Sequence, residues 1–254
     1  MPGIVTSDTS VFGYLLPEHM ASILVGMYSQ FLQADPSALV VPLHTRSKCL
    51  ESALHNVRTG LVPGMLVDSA LYEDISDLVD SVSRPSFVAG LIDTVYLDTA
   101  NNRLVGDCIA VRAFNLATDY MDSIQDPTVF FYGGGWETLV GMTALSGIAS
   151  LMVVHAEPDE RLDSIPTGCF VEYADSPPDD LTIFDLVVNP PEGFKPADGQ
   201  HVLSLTPSMS SVQWNLPTFE AYRLAYAVGK FRGIPDKICT QSAMTYMDSY
   251  FKNV

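Results

Sequence analysis

Positive charge is scarce in this chain. Thirteen Lys and Arg stand against thirty Asp and Glu over 254 residues, a formal net charge of -17 spread along the sequence rather than gathered in a tail. That field repels phosphate backbones and anionic lipid, so neither nucleic acid nor a membrane is an expected partner, and the acidity chiefly keeps the surface hydrated. Cysteine is sparse too. Cys49, Cys108, Cys169 and Cys239 lie far apart with no C-x-x-C pair, which argues against a zinc or disulfide framework and for reduced thiols. The five histidines (His19, His44, His55, His155, His201) form no H-x-x-x-H pair, so no metal is expected. No run approaches the roughly eighteen apolar residues of a membrane span. The opening MPGIVTSDTS has neither a basic nor an apolar signal region, and a cytoplasmic location is the expectation.

What is present is a large apolar fraction, 47%, in short runs alternating with helical patterns. In the first half, SVFGYLL reads as a strand, HMASILVGMYSQFLQ as an amphipathic helix and SALVVPL as a strand closed by Pro42. SKCLESALHNVRTG follows as a helix stopped at Gly60, then GMLVDSA as a strand, LYEDISDLVDSVS as a helix and FVAGLIDTVYLD as a strand before the turn TANN. A mostly parallel sheet with helices on both faces is the expected result. From about residue 127, TVFFY, GGG, WETLVGMTALSG, ASLMVVHA, CFVEYA, IFDLVVN and HVLSLTP give a second series, with the βαβαβ pattern of a dinucleotide-binding domain. FEAYRLAYAVGKFRG and SAMTYMDSYFKN close the chain as helices.

GLIDTVYLDTANNRLVGDCIAVRAF resembles the GAVNTV and G-[RK]-L-x-GDNTDGxGF segments of the shikimate dehydrogenase family. FFYGGGWETLVGMTALSG is similar to that family's nucleotide loop and helix, and DLVVNPPEGF to its DLVINATPxGM. The resemblance runs nearly end to end. It implies an α/β protein of two domains with a cleft between them: a substrate-type domain over residues 1–112 completed by a helix over 233–254, and a Rossmann-like domain over 113–232.

The polar positions depart from that family. The segment LVDSALY falls on the family's N-V-T-x-P-H-K, so Leu66 and Asp68 replace substrate-binding groups and Tyr72 replaces the reactive lysine. The paired serines fall on Ala21 and Ile23, the asparagine of GAVNTV on Asp93, the closing acid of GDNTD on Ala110, and a C-terminal glutamine on Arg223. In the family, lysine and aspartate together move the proton of the hydroxyl being oxidised, and Ala110 can exchange no proton. Oxidation of shikimate is therefore not expected. Ala21, Ile23, Leu66 and Ala110 are expected to line an apolar substrate site, with Asp68, Tyr72, Asp93 and Arg223 as its acid–base and charge-stabilising groups. Each has a plainer use: the aspartates as caps, Tyr72 as packing, Arg223 as half of an internal ion pair, and Cys108 as a small buried residue.

The cofactor loop is altered as well. Gly133 and Gly135 keep a G-x-G turn, yet Trp136 stands where the family has glycine, and Glu137 adds a negative charge in the first helical turn. The family's N-R-T, whose arginine holds the NADP 2'-phosphate, falls on His155, Ala156 and Glu157; Glu157 suits a ribose hydroxyl, so NAD is the only cofactor kept in view, beside none at all. The leading expectation is a repurposed catalyst of specialised metabolism that isomerises, dehydrates or cyclises a relatively apolar small molecule. An NAD-dependent oxidoreductase of another substrate and a non-catalytic pseudoenzyme, like the modules of fungal quinate-pathway repressors, are the alternatives. A homo-oligomer is left open.

Overall fold

The computed structural model describes residues 9–20, 24, 26, 28, 38–46, 49–157, 160–205 and 214–233. They form two compact α/β units, the first from residues up to Phe87, Leu91–Ile109 and the chain from Glu220 on, the second from Val88–Gly90 and Ala110–Phe219. No helix among the described residues is long and apolar enough to cross a membrane.

Up to residue 109 the chain runs β1 (Ser10–Pro17), β2 (Ala38–Thr45), α1 (Leu50–Arg58), β3 (Gly64–Val67), α2 (Tyr72–Ile75), β4 (Ser81–Val82), α3 (Arg84–Ala89), β5 (Thr94–Asp98) and β6 (Arg103–Asp107). The strands form one sheet in the order β2-β1-β3-β5-β6-β4. β1 is parallel to both its neighbours, and its residues Phe12 to Leu16 are buried, as a strand covered on both faces requires. Two sequence expectations change here. β2 does not stop at Pro42 but continues to Thr45, because β2 is an edge strand and a residue there can lack its N–H without breaking a ladder. The sheet is mostly parallel, as expected, with one reversal: β5 is antiparallel to both β3 and β6, and the four-residue turn to β6 is too short for a crossover. The helix expected over 71–83 is one α turn, Tyr72–Ile75, between 3-10 turns at Ser69–Leu71 and Ser76–Leu78. Its serines and aspartates offer the backbone competing bonds, as where the Ser76 hydroxyl donates to the Glu73 carbonyl at 3.0 Å.

α1 needs no correction. Leu50, Leu54 and Val57 share its buried face, and Gly60, at φ +73°, takes the left-handed position that ends the helix.

The second unit starts with α4 (Ile109–Ala117) and continues as β7 (Thr128–Tyr132), α5 (Trp136–Leu145), β8 (Leu151–His155), α6 (Glu160–Asp163), β9 (Phe170–Tyr173), β10 (Leu186–Val188), β11 (His201–Ser204) and β12 (Trp214–Asn215). All neighbouring strands are parallel, in the order β12-β11-β10-β7-β8-β9, the doubly wound arrangement whose direction of growth reverses between β7 and β10. Residues 174–185 and 189–200 join their strands without a helix. Both segments carry paired prolines, which deny a helix its N–H groups.

α7 (Leu216–Phe231) closes the described chain. Asn215 caps it, its side-chain oxygen accepting the Thr218 N–H at 3.1 Å and the Thr218 hydroxyl at 3.0 Å. The sequence pattern groups this helix with the Rossmann-like series, but from Glu220 onward it clusters with the first unit. Phe231 explains part of that attachment: its ring lies 5.0 Å from Phe12 and covers Gly64, where a Cβ would overlap it. Of the helix expected over 233–254, Gly233 is in a turn at φ +66°, and residues 234–254 lie outside the described residues.

Candidate functional site

The reversal of β5 brings three strand ends of the first unit together. Leu66 on β3 pairs with Thr94 on β5, and Thr94 pairs with Asp107 on β6, so the residues just outside these pairings, Asp68, Asp93 and Cys108, gather at one end of these three strands. Asp68 follows β3 and is the N-cap of the next turn, accepting the Ala70 N–H at 3.1 Å; its other oxygen accepts the Tyr14 hydroxyl at 2.9 Å. Asp93 is fully buried. Its Oδ1 accepts the Thr94 hydroxyl and the Ile109 N–H, both at 2.8 Å, and its Oδ2 accepts Arg223 Nε–H at 3.1 Å.

Arg223 enters from α7 and is 2% exposed. Nη1 donates to both oxygens of Glu220 at 3.1 Å, and Nη2 to the Val67 carbonyl at 3.2 Å and the Asp93 carbonyl at 3.4 Å. All three guanidinium nitrogens are thus engaged inside the protein. Glu220, buried one helical turn before Arg223, also accepts the hydroxyl of buried Tyr28, whose ring meets Tyr14 edge-on at 5.6 Å. Burial disfavours the charged guanidinium, but its carboxylate neighbours, Glu220 foremost and Asp93 among them, outweigh it and hold Arg223 firmly protonated.

Tyr72, at the start of α2, is 3% exposed. Burial pushes its phenol well above the ordinary tyrosine range; Arg223 pulls it down, while Asp93, Glu220 and Cys108 push it further up. Tyr28 is raised in the same way, first by burial. Both phenols keep their protons at neutral pH. They are proton donors.

The four ionisable candidates therefore fall in one unit, with Asp93 and Arg223 in direct contact and Tyr72 within their field. Leu66 is wholly buried in β3, between β1 and β5, and Ala110 is wholly buried in α4 of the other unit. Ala21 and Ile23 lie outside the described residues. Sequence reasoning did not find Glu220, Tyr14 or Tyr28. Glu220 had a legible signal, the Glu-x-x-Arg spacing in FEAYR that puts acid and base on one helical face. Tyr14 sits in a strand that reads as pure core, and nothing local marks it.

In the second unit the glycine turn after β7 is tied down. Gly133, at φ +89°, donates its N–H to the His155 carbonyl at 3.0 Å, and its own carbonyl accepts the Thr138 hydroxyl at 2.7 Å. A Cβ on Gly134 would sit 3.0 Å from the Ala156 Cβ, so the loop rests closely on the end of β8. Gly135 begins α5, and the space a Cβ would take there is within 2.7 Å of Glu137 Oε2. Burial raises the pKa of Glu137, and its own backbone N–H, which favours the charged form, pulls it partly back. His155 Nδ1 is 2.9 Å from the Ala174 carbonyl, and Glu157 is exposed beyond β8. A dinucleotide would need the space over Gly135 and the first N–H groups of α5 for its pyrophosphate. Here the Glu137 carboxylate takes the space at Gly135 and interacts with its own N–H, and the residues present do not fit that group.

No protein-family model matches the chain, and no curated protein matches it. Solved structures do match. Shikimate dehydrogenase from Aquifex aeolicus is 15% identical over 94% of this chain and 99% of its own, with a TM-score of 0.70. The ligand-free 5-ketofructose reductase of Gluconobacter sp. strain CHM43 is 12% identical over 94% and 99%, at 0.73. Quinate dehydrogenase from Corynebacterium glutamicum, in complex with NAD, is 16% identical over 94% and 100%, at 0.70. At these identities the likeness is one of fold: the chain has the shikimate-dehydrogenase-like two-domain architecture, whose solved examples include NAD(P)-binding oxidoreductases.

Proposed function

We propose that this protein, built on the shikimate-dehydrogenase-like fold, has been repurposed to bind a relatively apolar small metabolite in its first unit and to move a proton on it rather than a hydride. One observation carries the reading. Tyr72, in the place that the sequence resemblance gives to a reactive lysine, holds its phenol proton in a buried setting within the field of Arg223, Asp93 and Glu220. A buried phenol of this kind donates to a carbonyl oxygen of the metabolite and stabilises the enolate that forms when an adjacent carbon loses a proton. Asp68, 7% exposed and bonded to Tyr14, is the carboxylate to accept that proton. Asp93 and Glu220 fix Arg223, whose charge steadies the developing anion through the site rather than by contact. Return of the proton elsewhere is an isomerisation, loss of a neighbouring hydroxyl a dehydration, and attack by an internal nucleophile a cyclisation.

A second reading, an NAD-dependent oxidoreductase of a different substrate, is favoured by the matched quinate dehydrogenase and its bound NAD. Two assays separate the readings. In deuterium oxide, 2-cyclohexen-1-one incubated with the protein takes up deuterium at its α' carbon, read by mass spectrometry; Tyr72→Phe loses that uptake and keeps its melting temperature. Equal uptake with wild type and Tyr72→Phe, or none with either, overturns the proton-transfer reading. Oxidation of quinate or reduction of 5-ketofructose with a nicotinamide cofactor, followed by nicotinamide absorbance, establishes the second, whereas reduction of dehydroshikimate overturns both.

A further inference from the structure

The glycine turn of the second unit is retained, yet its surroundings are hostile to the ligand such turns serve. We propose that the Glu137 carboxylate is the chain's own occupant of the pyrophosphate position, and that the second unit therefore takes no nicotinamide dinucleotide. This stands on different residues from the proton-transfer reading and in a different unit.

Three observations converge. Glu137 Oε2 lies 2.7 Å from the Cβ position of Gly135, so the room that glycine leaves for a phosphate oxygen is already used. The Glu137 N–H, one of the donors that the first turn of α5 would offer a phosphate, already favours the charged form of this carboxylate. A phosphate brought to that turn would meet a like charge at contact distance, in a half-buried setting where repulsion is weakly screened.

The residues closest to the strand ends carry no cation to relieve the repulsion; the nearest in sequence are Arg161 in α6 and Lys195 further along the loop after β10. Residues 132–138, 155–157 and 188–193, which follow β7, β8 and β10, contain no Lys or Arg, and they include Glu137, Glu157 and Glu192. The start of the loop after β10 is engaged within the protein as well. Asn189, at φ +54°, spends its side-chain oxygen on the Leu205 N–H at 2.7 Å and its N–H on the Leu203 carbonyl at 2.8 Å, and Pro190 and Pro191 have no N–H to give. The turn persists for packing: Gly134 sits against Ala156, and the Gly133 carbonyl caps the Thr138 hydroxyl.

Trp136 reports on the turn directly. NAD, NADP and inorganic pyrophosphate are titrated separately into the whole chain and into Glu137→Gln and Glu137→Ala, with tryptophan fluorescence and calorimetry as readouts. The wild type is expected to show no saturable response below about a millimolar, and Glu137→Ala to bind pyrophosphate at least about tenfold more tightly than the wild type. A matching gain in Glu137→Gln assigns the exclusion to charge, and a gain in Glu137→Ala alone assigns it to bulk; either supports the proposal. Micromolar binding of a dinucleotide by the wild type, or no gain in either variant, overturns it.

Discussion

Arg223 Nε–H donates to Asp93 Oδ2 at 3.1 Å across 130 positions of the chain, with the two side chains 2% and 0% exposed. The bond ties α7 to the start of β5, and the same guanidinium reaches the last residue of β3 through the Val67 carbonyl. One side chain thus joins three elements. Replacing it with Met leaves Asp93 and Glu220 buried without their cation, which is expected to cost about 3–5 kcal/mol of stability, read from urea unfolding. A loss under one kcal/mol, on the order of a surface pair, contradicts a buried network.

Tyr28 extends that network by donating its hydroxyl to Glu220. Tyr28→Phe keeps the ring against Tyr14 and removes only the hydroxyl. A hydrogen bond to a charged, buried group is worth about 1.5–3 kcal/mol, and chemical denaturation is expected to show a loss in that range. Because Glu220 is shared, Tyr28→Phe and Arg223→Met should not add in a double-mutant cycle.

The raised phenols of Tyr72 and Tyr28 set the alkaline limit of stability. Each binds its proton more tightly folded than unfolded, so the contribution is complete below the unfolded value of about 10 and drains away as pH rises toward the folded value. Melting temperatures followed from about pH 8 to 11 should therefore fall at the alkaline end. Tyr72→Phe should flatten that fall without changing the acid side. An unchanged alkaline slope in Tyr72→Phe would mean that this phenol is not buried.

Gly64 opens β3 where Phe231 of α7 lies across it. Gly64→Ala forces the ring aside and is expected to destabilise by about 1–3 kcal/mol, measured by thermal or urea melts. Combining it with Phe231→Leu, which makes room, should recover part of the loss. Additive losses would show that the two positions are not in contact.

The second series was the more legible half. β7 falls on TVFFY, α5 on WETLVGMTAL and β8 on LMVVH, because a parallel sheet buried on both faces writes itself as short unbroken apolar runs. The first half was harder. FVAGLIDTVYLD reads as one strand, but its opening residues belong to α3, and Gly90, at φ +65°, separates them from β5. The region from Ser69 to Val82 has helical periodicity without the helix, since its serines and aspartates bond locally.

The sequence alone determined the two-part α/β plan and the glycine turn, because apolar spacing and glycine are local properties. It also put Asp68, Tyr72, Asp93 and Arg223 forward as a group. Whether Arg223 faces a ligand or the protein's own carboxylates was decided only by the tertiary structure. A guanidinium takes whichever acceptors the packed elements bring within about 3 Å. Here the reversal of β5 and the return of α7 supply them: Asp93, Glu220 and the Val67 carbonyl, drawn from three separate stretches of the chain.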